Sequence, residues 1–458
     1  MASTGGFSGT LELLEWVIER CLKLGFDEAA VKASKELVKK VRIANSRVVL
    51  PMSREESSLS IMACKDGRVL VAETLDLRRD QVERFLSNLR NAVLSVKPRE
   101  DYAPLALGPF KYEYVSGVYD PRVIELDDEV VDIAEAAINA ALKEGASSVA
   151  GSLTVKAVEE GLATTRGVRG EHKYSSLSLE VRSSIKLDEG VEVYGLGLGL
   201  SVKLAGLKPE AVGAEAGRRV RLSKRMVKAV EGRYDVVLDK PALAVLTDLY
   251  GGFMASAFHV DSGMSFLKEK LGQRVAAPTI TLIDDPKAPE RVGSRPFDDE
   301  GLPTKVNAII EGGILKTYLH NRFTAKRHSV TSTANAGWIV PKAWSLYLKP
   351  GDARFDELLR EVTDGLLVTN ATYARFTNYA TGDFSAVVRD GVFKVKEGEI
   401  VGYVKNLRLS DNLANVFSNV ELLSRDAEQV LHWWMEVGTP VTVPSALVKN
   451  LRFTLPTA

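Results

Sequence analysis

Three groups of side chains in this sequence stand at spacings that could do metal or acid-base chemistry. His259 and Asp261 lie two residues apart in TDLYGGFMASAFHVDSGMS, 247–265, where an imidazole and a carboxylate could share a metal ion. Such a site needs further ligands, at i+4 on the same helix or in a second cluster. The other four histidines, His172, His320, His328 and His432, are scattered, and no HExxH, HxH or Cys-His pair occurs. A hydrogen-bonded histidine at a helix end is therefore expected at 259. The acidic groups Asp284-Asp285 and Asp298-Asp299-Glu300 offer oxygens for Mg²⁺ or Ca²⁺, or a division of acid and base roles. Both abut proline or glycine, in DDP and PFDDEG, so solvated turns with Asx-type capping are expected there.

Two further motifs invite a chemical reading and fail it. GLGLGLS, 195–201, lacks the third glycine of a dinucleotide fingerprint and alternates with the period of a strand, so Gly195, Gly197 and Gly199 leave one face bare for close approach. Ser265-x-x-Lys268 and Ser410-Asp411-Asn412 match two boxes of the penicillin-binding serine hydrolases. The K-T-G box is missing, and no GxSxG elbow replaces it. Trp433 and Trp434 would face opposite ways on a strand, one into a core and one toward an interface.

The elements that must hold these groups follow from periodicity. Apolar residues at helical spacing over 11–24 stop at Gly25, strand-like runs occupy 27–50 and 57–76, and a helix at 79–96 ends before Pro98. The proline-bearing 98–113 segment reads as a surface connection. A helix at 127–144 precedes strands near 149–166, 173–187 and 191–203, and helical spacing returns over 209–230. YDVVLDKPALAVL then passes from a buried strand into a helix with Pro241 in its first turn, where a missing N–H costs least. His259 falls toward the C-terminal part of that helix. Beyond it, apolar runs broken by EGG, RDG and EGE read as antiparallel hairpins. The expected organisation is an α+β region over 1–100, a middle region of helices and antiparallel strands over 101–232 that continues it, and a β-rich region over 233–458.

At 458 residues and 45% hydrophobic content the chain can bury several cores. Sixty basic residues balance sixty acidic ones, which argues against direct nucleic-acid binding. No apolar run reaches the roughly 20 residues of a membrane span, and a cytoplasmic location is expected. Cys21 and Cys64 show no CxxC spacing and read as core residues. Three glutamines beside 26% charged residues lean toward a thermophilic source.

SFLKEKLGQRVAAPTITLIDDP, GSRPFDDEGLPTKVNAIIEGGILKTYLHNRFTAKR and TGDFSAVVRDGVFKVKEGEIVGYVKNLRLSDNL together resemble the PmbA/TldE branch of the TldD/PmbA proteins, with LGFDEAAV, VYDP and YDVVLDKPALAVL in agreement upstream. The resemblance implies a cytoplasmic two-component zinc peptidase, also labelled a modulator of DNA gyrase. It implies an α+β N-terminal domain followed by a C-terminal domain on a large curved antiparallel sheet. In the TldD subunit HExxxH and a downstream cysteine hold the zinc. Counted without gaps from Leu271-Gly272-Gln273, those positions are Gly251, Gly252 and Ser256 here, and no cysteine follows Cys64. The resemblance therefore implies no metal or cofactor on this chain, zinc on a TldD-like HExxxH-bearing partner in a heterodimer, and a peptide substrate in a shared channel. His259, Asp261, Asp298, Asp299 and Glu300 are the channel or turn residues it leaves open. Two other classes stand beside this reading: a non-enzymatic peptide-binding or regulatory protein, and an independent hydrolase using Asp284, Asp285, Asp298, Asp299 or His259.

Overall fold

A computed structural model describes residues 8–187, 190–223, 225–228, 230–432 and 437–455; Trp433 and Trp434 lie outside the described residues. The fold is α+β. Its first half repeats one order of elements. Helix α1 (Ser8–Lys23) leads into strands β1 (Glu28–Ala44), β2 (Arg47–Lys65) and β3 (Arg68–Thr74) and helix α2 (Arg79–Leu94). After the single turn α3 (Arg122–Glu125), the order recurs as α4 (Glu129–Lys143), β4 (Ser148–Thr164), β5 (Arg169–Lys186), β6 (Glu192–Ser201) and α5 (Pro209–Arg221). The two meanders join through the antiparallel β1–β4 pair into one six-stranded sheet, ordered β3-β2-β1-β4-β5-β6. This internal correspondence was not visible in the sequence, where no short-period repeat shows.

Each half of the sheet buries the apolar stripes of its own helices. Leu14, Val17, Ile18 and Cys21 of α1 and Val82, Leu86, Leu89 and Val93 of α2 pack on Val31, Leu59 and Ile61. Ala134, Ala137, Ile138 and Ala141 of α4 and Val212, Ala216 and Val220 of α5 pack on Leu153, Leu177 and Leu179. The glycine strand is β6, as its period predicts. A Cβ at Gly197 would strike the Val212 carbonyl of α5, so glycine is what allows that helix to lie on the strand.

The run read at 27–50 is split by a hairpin turn, with Asn45 and Ser46 both at positive φ, and Asp66-Gly67 makes the next turn. Residues 51–56, left unassigned by periodicity, continue β2. The helix expected over 209–230 stops at Arg221, where Arg218, Arg219 and Arg221 fill its last turn and complement the helix dipole. The 98–113 segment is more than a surface connection. Leu105 is buried, Tyr102 donates to Glu28, and Tyr112 packs on Phe297 at 5.0 Å while donating to the Gly301 carbonyl.

The second half is built on a curled half-barrel sheet. Its strands run in the order Ala371–Asn378, Asp383–Val388, Arg408–Asn412, Ala446–Thr454, Gly232–Leu238, Asp364–Val368, Val392–Lys396, Glu399–Val404 and Met226–Val227, with Val420–Leu423 paired beside Ala446–Thr454. The pairing is antiparallel except where Gly232–Leu238 meets Asp364–Val368 and where Met226–Val227 meets Glu399–Val404. The first parallel pair needs a long crossover, and the whole stretch from Lys240 to Thr363 supplies it. That crossover carries most of the candidate residues.

Candidate functional site

The strand Gly232–Leu238 feeds the helix Lys240–Thr247, whose start is capped by the Asp239 side chain accepting from the Lys240 amide. Every residue from Pro241 to Thr247 is buried, so this helix is a core element rather than a surface one. The single helix expected from the sequence then breaks. Residues Asp248–Met254 form a wide π-turn, Ser256 is extended, and a short helix resumes at Ala257–Asp261. Irregular turns of this kind are common at functional sites.

Gly251 and Gly252 sit in that π-turn. A Cβ at Gly251 would lie 2.8 Å from Leu282 and 3.0 Å from Leu346, and one at Gly252 would lie 2.6 Å from Asp248 Oδ1. Ser256 is fully buried, and its hydroxyl donates to the Pro341 carbonyl at 2.7 Å. Gly251 and Gly252 carry no side-chain donor, the Ser256 hydroxyl is taken up by Pro341, and the helix is interrupted between 254 and 257.

His259 and Asp261 do not share a site. His259 Nδ1 meets the Phe253 carbonyl at 2.9 Å and its ring stacks on Phe253 at 3.7 Å, with burial pushing its pKa down. Asp261 instead pairs with Arg327 and with His328 Nε2 at 2.7 Å, in a cleft of about 310 Å³ that Tyr318 and Lys268 also line. His328 was one of the scattered histidines. Its link to Asp261 spans 67 residues, a separation that no local motif reports. Ser265 is no nucleophile here, because its buried hydroxyl is spent on the Met254 carbonyl.

The expectation of solvated turns fails at the acidic clusters. Asp284 is fully buried, accepting from Asn335 Nδ2 and from the Trp344 and Ser345 amides, and burial pushes it up to about 6. Asp298, Asp299 and Glu300 are 0%, 1% and 2% exposed. The capping part of the expectation holds, since Asp298 Oδ1 accepts from the Glu300 and Leu302 amides. Burial has a tertiary cause: this loop presses Phe297 against Leu162 of β4 and Val168 of the turn that follows it.

The loop carries its charges into an interlocked cluster between the two halves of the chain. Asp299 takes Lys32 of β1 at 2.9 Å, Arg295 at 3.5 Å and Lys342 at 3.6 Å. Glu160 of β4 pairs with the same Lys32 and Arg295, at 3.5 and 3.7 Å, while the Arg295 guanidinium lies over the Trp344 ring. Glu300 pairs with Arg322 at 3.3 Å, and Arg322 in turn donates to the Ala103 carbonyl. Among these, only Arg295 was signalled locally, four residues before Asp299. Burial alone would raise Asp299; Lys32, Lys342 and Arg295 hold it at about 2. Asp298 has no such cations, and burial followed by the Glu300 carboxylate pushes it up to about 8.

A pH dependence follows. Asp298 and Glu300 are buried together and titrate as a pair, which keeps a proton in the fold to about 8, whereas the unfolded chain loses it near 4. The stability this provides is fully present below about pH 4 and is lost as pH rises toward 8, with a slope of up to about 1.4 kcal/mol per pH unit. Urea unfolding of the protein and of Asp298→Asn between pH 4.5 and 8.5, design values set about those pKa limits, should show the slope flattened in the variant. Parallel curves would contradict the assignment.

A cleft of about 600 Å³ lies between α5, the edge strand β6 and the start of the Lys240–Thr247 helix. Leu198, Leu200 and Val430 give it apolar walls, and the ion pairs Arg219–Asp239 and Lys240–Glu428 lie along it. Among the described residues no three histidine, cysteine, aspartate or glutamate side chains are grouped to hold a metal ion, and no helix is long and apolar enough to cross a membrane.

Residues 231–455 match the PmbA/TldA metallopeptidase C-terminal domain, and residues 119–224 match the central domain of the same proteins. A metalloprotease of Archaeoglobus fulgidus is 33% identical over 52% of this chain and 59% of its own length. The metalloprotease PmbA of Escherichia coli is 28% identical over 48% of this chain and 47% of its own. The chain thus spans about half the length of the curated relatives it matches. A Thermotoga maritima structure carried under the name of a DNA gyrase modulator superposes with a TM-score of 0.85 at 25% identity, over 97% of this chain and 100% of that one. TldE of Thermococcus kodakarensis shares the fold, with a TM-score of 0.85 at 19% identity over 96% of this chain and 100% of its own.

Proposed function

The chain belongs to the PmbA/TldD metallopeptidase family, and on that premise we propose that it is the subunit of a two-component peptidase that carries no zinc. One observation carries the reading. The positions where the family's HExxxH would fall are Gly251, Gly252 and Ser256, two of them without side chains and the third bonded inside the core. A zinc peptidase needs three protein ligands and an open water position. In this reading the metal, its water and the acid-base glutamate belong to a TldD-like partner, and this chain shapes the channel that admits unfolded or short peptide. Its contribution is positioning and the exclusion of folded substrates.

Two features of the chain support that role. β3 pairs only with residues 59–65 of β2, so residues 47–58 form a long free edge, and Val49, Leu50 and Met52 are exposed along it. A free edge with apolar side chains is a surface suited to another chain. The cleft beside β6 offers a second edge, where an extended peptide gains affinity through its main chain with little sequence preference.

The test is reconstitution. The purified chain alone should hold no stoichiometric zinc and cleave no unstructured peptide; mixed with an HExxxH-bearing partner it should raise cleavage, and chelator should abolish the activity. Stoichiometric zinc on this chain, or chelator-sensitive cleavage by it alone, would overturn the reading. Peptide binding with no change in the partner's cleavage would instead favour a non-enzymatic binding protein.

A further inference from the structure

A polar row crosses the face of the half-barrel sheet opposite its packed core. On the core side Phe384, Leu409, Leu451 and Phe453 are buried. The residues between them point the other way. Ser385 stands opposite Ser410 in the strand register, and Arg452 stands directly opposite Arg233. The hydroxyls form a ladder, Ser385 to Ser410 at 3.0 Å and Ser410 to Thr454 at 2.8 Å, and Arg408 Nε donates into it at Ser385, 2.9 Å away. These groups line a cleft of about 630 Å³.

The charges in this cleft do not balance among themselves. Arg233, Arg408 and Arg452 face two carboxylates, and both carboxylates are already engaged. Asp411 accepts from the Arg452 amide at 2.7 Å and from Asn415 Nδ2 at 2.9 Å, and the Arg233 guanidinium comes no nearer to it than 3.7 Å. Asp383 accepts from Thr381 Oγ1 at 2.6 Å and Asn412 Nδ2 at 2.8 Å. The Arg452 guanidinium has no hydrogen-bond or ion-pair partner among the described residues, and Arg408 has spent only its Nε. Like charges directly opposite on paired strands are unfavourable. An oxyanion held at Arg452 offsets that cost, and guanidinium forks match a carboxylate in two parallel hydrogen bonds.

The cleft also reaches the free edge of the sheet. Thr377 lines it, and the strand Ala371–Asn378 skips register there, from Phe376 opposite Phe384 to Asn378 opposite Asp383. Thr377 thus has no register partner at the margin of the cleft. We propose that this cleft binds the free α-carboxylate of a peptide, held by Arg408 and Arg452 with the hydroxyl ladder beneath it. The choice of peptide rests on the functional reading above; the anion site rests on the arginines.

The experiment uses the full chain and a short, unstructured peptide labelled at its N-terminus, as the free acid and as the C-terminal amide, with binding read by fluorescence anisotropy. The free acid should bind about tenfold more tightly than the amide. Arg452→Gln and Arg408→Gln should each erase that difference, with the Tm of Arg452→Gln no lower than that of the parent, while Arg78→Gln on the first half keeps it. Equal affinity for acid and amide, an unaffected Arg452→Gln, or stronger competition by inorganic phosphate than by acetate would overturn the proposal. Because binding is read on this chain alone, it can fail while reconstitution with a partner succeeds, and the reverse.

Discussion

Asp299→Asn should cost the fold about 3–5 kcal/mol in urea unfolding at neutral pH. The carboxylate is 1% exposed and is shared by Lys32, Arg295 and Lys342, which arrive from three different parts of the chain. Removing its charge leaves Lys32 and Arg295 with Glu160 as their remaining carboxylate, in a place largely screened from water. A buried ion network is weak evidence for net stability, because well-packed apolar residues often serve as well; breaking one member of it is another matter, since the remaining charges keep their desolvation cost. Lys342→Met is the internal comparison. Its side chain is 51% exposed, so water screens the pair, and the loss should stay within about 1 kcal/mol. Acid titration adds a second reading. Asp299 is held at about 2 in the fold and ionises near 4 when unfolded, so its stabilisation is complete above about pH 4 and is lost as pH falls through 2. That sign is opposite to the one for Asp298. An Asp299→Asn variant as stable as Lys342→Met would mean the cluster does not hold the two halves together.

Rebuilding the family's zinc motif should fail, and at a high cost. In the triple variant Gly251→His, Gly252→Glu, Ser256→His, the first imidazole must displace Leu282 and Leu346, both fully buried. The new glutamate is set against Asp248, which already accepts from the Gly438 amide at 2.8 Å. The second imidazole replaces a hydroxyl bonded to Pro341 inside the core. Overpacking of this kind costs about 1–3 kcal/mol per site, so several kcal/mol in all are expected. Zinc should remain below one per chain, because the extended backbone at Ser256 turns the second histidine away from the face that carries the first. Metal analysis with X-ray absorption decides the matter: one bound zinc with two histidine ligands from positions 251 and 256 would show that the π-turn tolerates the motif.

How far the sequence could be read differs sharply between elements and site. The stripes Leu14-Val17-Ile18-Cys21 and Val82-Leu86-Leu89-Val93 announced their helices, and the glycine alternation at 195–199 announced a strand, because helix and strand periods are set by local backbone geometry. Asp66-Gly67 is a turn signal of the same local kind, and it splits the run at 57–76 into two strands. The π-turn at 248–254 was not legible, since GGFMAS is compatible with a regular helix and only packing against Leu282 and Leu346 distinguishes the two.

At the site itself, the resemblance set the family's zinc motif on positions 251, 252 and 256, and that two glycines and a serine stand there was legible without a fold. Everything that depends on distance was decided by the tertiary structure. Asp298-Asp299-Glu300 looked like a solvated turn and is among the most buried groups of the chain, since Lys32 lies 267 residues away along the chain and 2.9 Å away in space. His259 and Asp261, neighbours in sequence, part company for the same reason: each side chain follows the partner that folding brings to it, Phe253 for one and His328 for the other. The opposed Arg233 and Arg452 belong to strands from distant parts of the sequence, and only their register made them a pair.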